Sequence, residues 1–119
     1  MRDQDAYLNQ AIGMYTTLEP RALMTKMLEI ESLLGRQRRE KNGPRNIDID
    51  ILLFNDLIAP EGEPIIPHPR LHMRRFVLVP LAEIAGELKH PVYNKSIFKL
   101  LDECEDPLDV QKITDPVAE

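Results

Sequence analysis

Asp48 and Asp50 stand two residues apart in the run Asn46-Ile47-Asp48-Ile49-Asp50-Ile51-Leu52-Leu53-Phe54. On an extended backbone, side chains at i and i+2 leave the same face with Cα atoms about 6.6–6.8 Å apart. Two carboxylates that close repel each other, and burying them is costly unless a cation lies between them. Magnesium suits such a pair, because it takes one or two carboxylates and completes its octahedron with waters and substrate phosphates. The plain alternative is a solvated sheet face carrying two surface aspartates. Leu52 and Phe54 continue the same face, which weighs against a simple solvent face. A D-x-D pair alone remains a weak signal, since many chains contain one by chance.

The residues just before the pair sharpen it. Arg36, Arg38, Arg39, Lys41 and Arg45 crowd into ten positions, and Gly43-Pro44 sets the turn into the aspartate run. Arginine presents a planar fork that matches phosphate oxygens. Carboxylates, magnesium and arginines are together the electrostatic kit of phosphoryl transfer, where positioning and charge neutralisation dominate. In isolation such a cationic stretch reads as a solvated basic patch. Beside the acidic pair, a nucleotide site is the better reading.

The elements that must position these groups follow from periodicity. Residues 7–18 alternate as a strand, with Leu8, Ile12, Met14 and Leu18 on one face and Tyr7, Asn9, Ala11 and Tyr15 on the other. Pro20 suits a first helical position. Leu23, Met24, Met27, Leu28, Ile30 and Leu34 then recur at helical spacing up to Gly35, which reads as a left-handed cap. Residues 35–45 hold no hydrophobic side chain and read as a mobile polar loop. Residues 46–54 give the clearest strand, and Pro60–Pro69 an irregular stretch. Short helices are expected over 76–85 and over 95–104, the second with Ser96 as its cap.

Composition sets the outer bounds. The 119 residues suit one domain with a modest core, 43% are hydrophobic, and no apolar run approaches the length of a membrane span. The amino terminus is polar and acidic and does not read as a secretory signal. A single cysteine, Cys104, fits a cytoplasmic setting and reads as a half-buried helix thiol. Of the twenty acidic residues, seven fall in 102–119, so the overall charge of −5 hides a nearly neutral body. That balance argues against a general nucleic-acid binder, and residues 105–119 read as a frayed acidic tail.

The run Lys41-Asn42-Gly43-Pro44-Arg45-Asn46-Ile47-Asp48-Ile49-Asp50-Ile51-Leu52 resembles the signature of the hydroxymethyl-dihydropterin pyrophosphokinase family. The likeness extends from Tyr7-Leu8-Asn9 to Pro67-His68-Pro69-Arg70 and Arg74-Arg75-Phe76, and covers roughly residues 5–100. The resemblance implies that Asp48 and Asp50 hold two magnesium ions on ATP. It implies that Arg36, Arg38 and Arg45 close over the triphosphate, with Arg36 and Arg45 joining the aspartates in catalysis. By the same likeness His68 and Arg74 contact the nucleotide, and Glu31 lies near it. Tyr7 and Phe76 match an aromatic pair that sandwiches the pterin, and Asn9 an amide that hydrogen-bonds it. The implied reaction moves pyrophosphate from ATP to 6-hydroxymethyl-7,8-dihydropterin and releases AMP. Without the family, Tyr7 and Phe76 read as core aromatics and His68 as a loop histidine. His72 and His90 match no role and read as surface residues.

Three positions depart from the pattern. Asn42 stands where some members have tryptophan, Lys41 where they have arginine, and Leu28 where they have a polar residue. The family fold implied is an α+β, ferredoxin-like sandwich with a mainly antiparallel sheet, and the chain opens at its third strand. A sheet short of its first strands leaves open edges, which invite a homodimer through those edges. Two other readings stand beside the transferase. One is a truncated, non-catalytic oligomer that still binds nucleotide. The other is an unrelated metal-dependent phosphotransferase or nuclease built on the aspartate pair.

Overall fold

The computed structural model describes residues 8–42 and 47–113, with side chains excepted for 36–42. Its regular elements are α1 (Pro20–Asn42), a 3₁₀ turn (Leu71–Met73), α2 (Arg75–Ala85) and α3 (Ile97–Glu103). The chain divides into two compact units. One comprises Met14–Pro69 and His90–Asn94; the other comprises Met1–Gly13, Arg70–Lys89 and Lys95–Glu119.

In the first unit, α1 starts at Pro20, where the ring's fixed φ is helical and its missing N–H costs nothing. Leu23 is buried and packs with Ile51 and Ile66, while Met24, Met27, Phe54 and Ala59 close around them. Leu28, Ile30 and Leu33 on the rest of α1 are exposed. Contrary to the expected cap, α1 runs through Gly35 to Asn42. Gly35 does not adopt positive φ. The following Arg-Gln-Arg-Arg-Glu-Lys stretch consists of good helix formers, and its cationic residue types suit the negative end of the helix dipole. The expected loop is therefore helical over 35–42, and its remainder, 43–45, lies outside the described residues.

The sheet is the larger correction. Among the described residues there is no strand, only isolated antiparallel bridges at Ala59–Ile66 and Lys89–Ser96. The two expected strands are irregular, so the α+β sandwich and the strand edges assigned to a dimer are absent among these residues. A strand needs a neighbouring ladder, and alternation supplies only a face. Over 8–18 even the face is missing, since Leu8, Ile12, Met14 and Tyr15 are all exposed. Over 47–54 alternation survives in burial, with Ile51 inward and Asp48 and Asp50 outward. The backbone there bonds to a side chain and to a neighbouring loop, not to a strand.

The second unit packs α2 against α3 and the 3₁₀ turn around Leu71, Leu78, Leu81, Ala82, Ile97 and Leu100, all buried. Pro80 lies inside α2 and cannot donate to the Phe76 carbonyl one turn earlier. The Ser96 hydroxyl accepts the Lys99 N–H at 3.0 Å, the expected cap of α3. Gly86 follows α2 where any Cβ would press into the Phe98 ring. Among the described residues no helix is long and apolar enough to cross a membrane.

Candidate functional site

The aspartate segment is fixed within its pair, at Ile49, and just after it, at Ile51. Ile51 is anchored in the Leu23–Ile66 core, which sets the direction of the chain after Asp50. Ile49, between the aspartates, donates its backbone N–H to the Glu31 carboxylate on α1. Leu52 accepts the His68 backbone N–H at 2.9 Å, which ties the Pro67-His68-Pro69 segment to the same stretch. Ala59 and Ile66 exchange backbone bonds, and the Glu63–Pro64 and Ile66–Pro67 peptides are cis. Glu31, Asp48, Asp50 and His68 all belong to this unit, linked through the backbone of residues 49–52.

Asp48 and Asp50 are exposed, and neither carboxylate bonds or pairs with any described residue. Their oxygens are therefore available to a ligand. No group of three or more His, Cys, Asp or Glu side chains is placed to hold a metal among the described residues. Two carboxylates are a donor set of the kind magnesium takes when waters and phosphates complete its shell. The residues fit the implied ion.

Other residues named from the sequence lie in the second unit. Arg74 is the N-cap residue of α2, with extended backbone at φ −125 and ψ 113. Phe76 is the second helical residue, and the Arg74 guanidinium carbon lies 5.5 Å from its ring centroid. That is cation–π range, and it gives the aromatic face a charged neighbour. Asn9 is exposed. Tyr7 and Arg45 lie outside the described residues, while Arg36 and Arg38 occupy the last turns of α1 with side chains outside the description.

Two features escaped sequence reasoning. His90, read as a surface residue, is 2% exposed. Its Nδ1 accepts the N–H groups of Val92 and Tyr93 at 3.1 and 3.2 Å, and its ring lies 4.7 Å from that of Tyr93. The histidine is spent on closing a turn, a role that His-Pro-Val-Tyr does not announce. The other is Asp106, in the acidic tail, which accepts the Arg75 backbone N–H. That bond and one from Leu108, with the Arg75 charge alongside, hold the Asp106 carboxyl below the usual carboxylate range. On α3, a hydrogen bond from Lys95, helped by its charge and that of Lys99, lowers Glu103 likewise.

Comparison with known proteins gives the family. The model of 7,8-dihydro-6-hydroxymethylpterin-pyrophosphokinase matches residues 1–86. The chain is 38% identical over 102 residues to the 2-amino-4-hydroxy-6-hydroxymethyldihydropteridine pyrophosphokinase of Synechocystis sp., covering 86% of this chain and 52% of the relative. It is 45% identical over 87 residues to the protein of the same name from Bacillus subtilis, covering 73% of this chain and 52% of that relative. To the folic acid synthesis protein fol1 of Pneumocystis carinii it is 40% identical over 105 residues, 88% of this chain and 14% of the relative. The chain belongs to the 7,8-dihydro-6-hydroxymethylpterin-pyrophosphokinase family. It spans about half the length of these two bacterial relatives.

Proposed function

We propose that the chain carries the nucleotide- and magnesium-binding part of an enzyme that transfers pyrophosphate from ATP to 6-hydroxymethyl-7,8-dihydropterin, with AMP as the second product. The observation that carries this reading is the exposed Asp48/Asp50 pair, locked at Ile49 by Glu31 and at Ile51 by the core. In this reading Asp48 and Asp50 hold two magnesium ions on the triphosphate. Bound there, magnesium neutralises phosphate charge and orients the reacting group.

The chain's own residues supply the rest. Arg36, Arg38 and Arg45 are assigned to the phosphate oxygens, where a guanidinium fork is worth more than a point charge. His68 and Arg74 are assigned to the nucleotide, and Tyr7, Phe76 and Asn9 to the pterin. Glu31 keeps its place beside the nucleotide and has a further role, since its Oε2 accepts the Ile49 N–H and so orients the aspartates.

A second reading, nucleotide binding without turnover, is favoured by one observation. No strand ladder supports residues 47–54 among the described residues, so fewer bonds fix the carboxylate geometry that chemistry demands. One sample decides between the two: magnesium-dependent ATP binding by calorimetry, and AMP release with the pterin present. Binding with turnover supports the transferase, binding alone supports the second reading, and no binding contradicts both.

A further inference from the structure

Helix α2 begins at Arg75 and receives no capping bond from the side chain of its own N-cap residue, Arg74. A carboxylate thirty-one residues along the chain takes that place: Asp106 Oδ2 accepts the Arg75 backbone N–H at 2.9 Å. Asp106 Oδ1 accepts the Leu108 N–H at 3.0 Å, so the carboxylate is itself held. The Arg75 side chain closes the arrangement from the helix side. Its Nε donates to the Asp106 carbonyl oxygen at 3.0 Å and its Nη2 to the Cys104 carbonyl oxygen at 3.2 Å.

The first N–H groups of a helix have no internal partner, and an uncapped first turn frays. A carboxylate there is favoured twice, by the hydrogen bond and by the positive end of the helix dipole. The residues on either side of Arg75, Arg74 and Phe76, are both assigned to ligands. Arg74 and Phe76 are also in contact with each other, so a shift of the Arg75 backbone displaces both. Asp106 lies beyond residues 1–86, the part matched by the family model.

We propose that the Arg75–Asp106 clamp is a positioning device for the ligand-binding end of α2. Asp106 and the Arg75 side chain act through Arg74 and Phe76, holding them in one orientation against fraying. The proposal rests on the ligand roles given to Arg74 and Phe76 above.

Calorimetric titration of the whole chain with 6-hydroxymethyl-7,8-dihydropterin, in magnesium and a non-hydrolysable ATP analogue, tests it. Asp106→Ala weakens pterin affinity about fivefold, the scale of a lost helix cap. Asp106→Asn, whose amide oxygen still accepts the Arg75 N–H, stays within about twofold of the parent. Arg75→Met removes the guanidinium bonds and weakens affinity by a similar factor, and combining it with Asp106→Ala gives less than the product of the two, as one clamp requires. All titrations are run well below each variant's melting temperature, where a loss of stability alone leaves affinity unchanged. Parent affinity in Asp106→Ala or in Arg75→Met, with binding lost in Phe76→Ala, overturns the clamp and spares the ligand reading. Parent pterin affinity in Phe76→Ala, together with parent affinity for the ATP analogue in Arg74→Ala, overturns the ligand reading and the clamp with it.

Discussion

The Glu31 carboxylate on α1 accepts the backbone N–H of Ile49, the residue between Asp48 and Asp50, across eighteen positions of sequence. The bond makes the aspartate pair depend on the helix as well as on the Ile51 anchor. Both aspartates flank the bonded amide, so their separation follows from how that amide is held.

Removing this acceptor has a defined effect. A hydrogen bond to a charged group contributes about 1.5–3 kcal/mol, and partial exposure at Glu31 reduces that to about 1 kcal/mol. Glu31→Ala is expected to weaken magnesium-dependent ATP binding about fivefold by calorimetry. Glu31→Gln, which keeps an acceptor oxygen, should lose much less. Equal affinity in the alanine variant would show that the Ile49 bond does not orient the pair.

Gly35 separates the helical from the loop account of 35–42. It lies inside α1 without positive φ, and open space surrounds the position of a Cβ. Gly35→Ala is therefore expected to stabilise the chain by about 0.5–1 kcal/mol, read as a higher melting temperature with more helical circular dichroism. A left-handed cap at this position would make the same substitution destabilising.

Acid titration probes the Asp106 bond. The folded-state carboxyl is lowered by the Arg75 and Leu108 N–H groups, so its contribution to stability is fully present above the ordinary carboxylate value. It is lost as pH falls through the lowered folded value. Asp106→Asn lacks this titration and should show a flatter decline of melting temperature over that acidic window. A parallel decline in parent and variant would contradict the bond.

What could be read beforehand was local. Pro20 at the start of α1 and Ser96 at the start of α3 act on their own first turns, and both stand where the residue types put them. Alternation separates Asp48 and Asp50 from Ile51, and burial follows that split, although the aspartates are exposed where Leu52 and Phe54 weigh against a solvent face. Whether that run forms a strand depends on a partner elsewhere in the chain, which alternation does not encode. Gly35 was misread because a glycine ends a helix only when the residues beyond it do not sustain one, and those after it do. The Glu31–Ile49 and Asp106–Arg75 bonds span eighteen and thirty-one residues. No local pattern signals them.

The proposed magnesium–nucleotide site at Asp48 and Asp50 is tested by one calorimetric titration: ATP into the parent chain, Asp48→Ala and Asp50→Ala, each with and without magnesium. Both side chains are exposed, so the variants should keep their stability within about 0.5 kcal/mol of the parent. Magnesium-dependent binding is expected in the parent, with a loss of more than about a hundredfold in each variant, beyond what removal of an outer-shell partner produces. Unchanged magnesium-dependent affinity in either variant would contradict it.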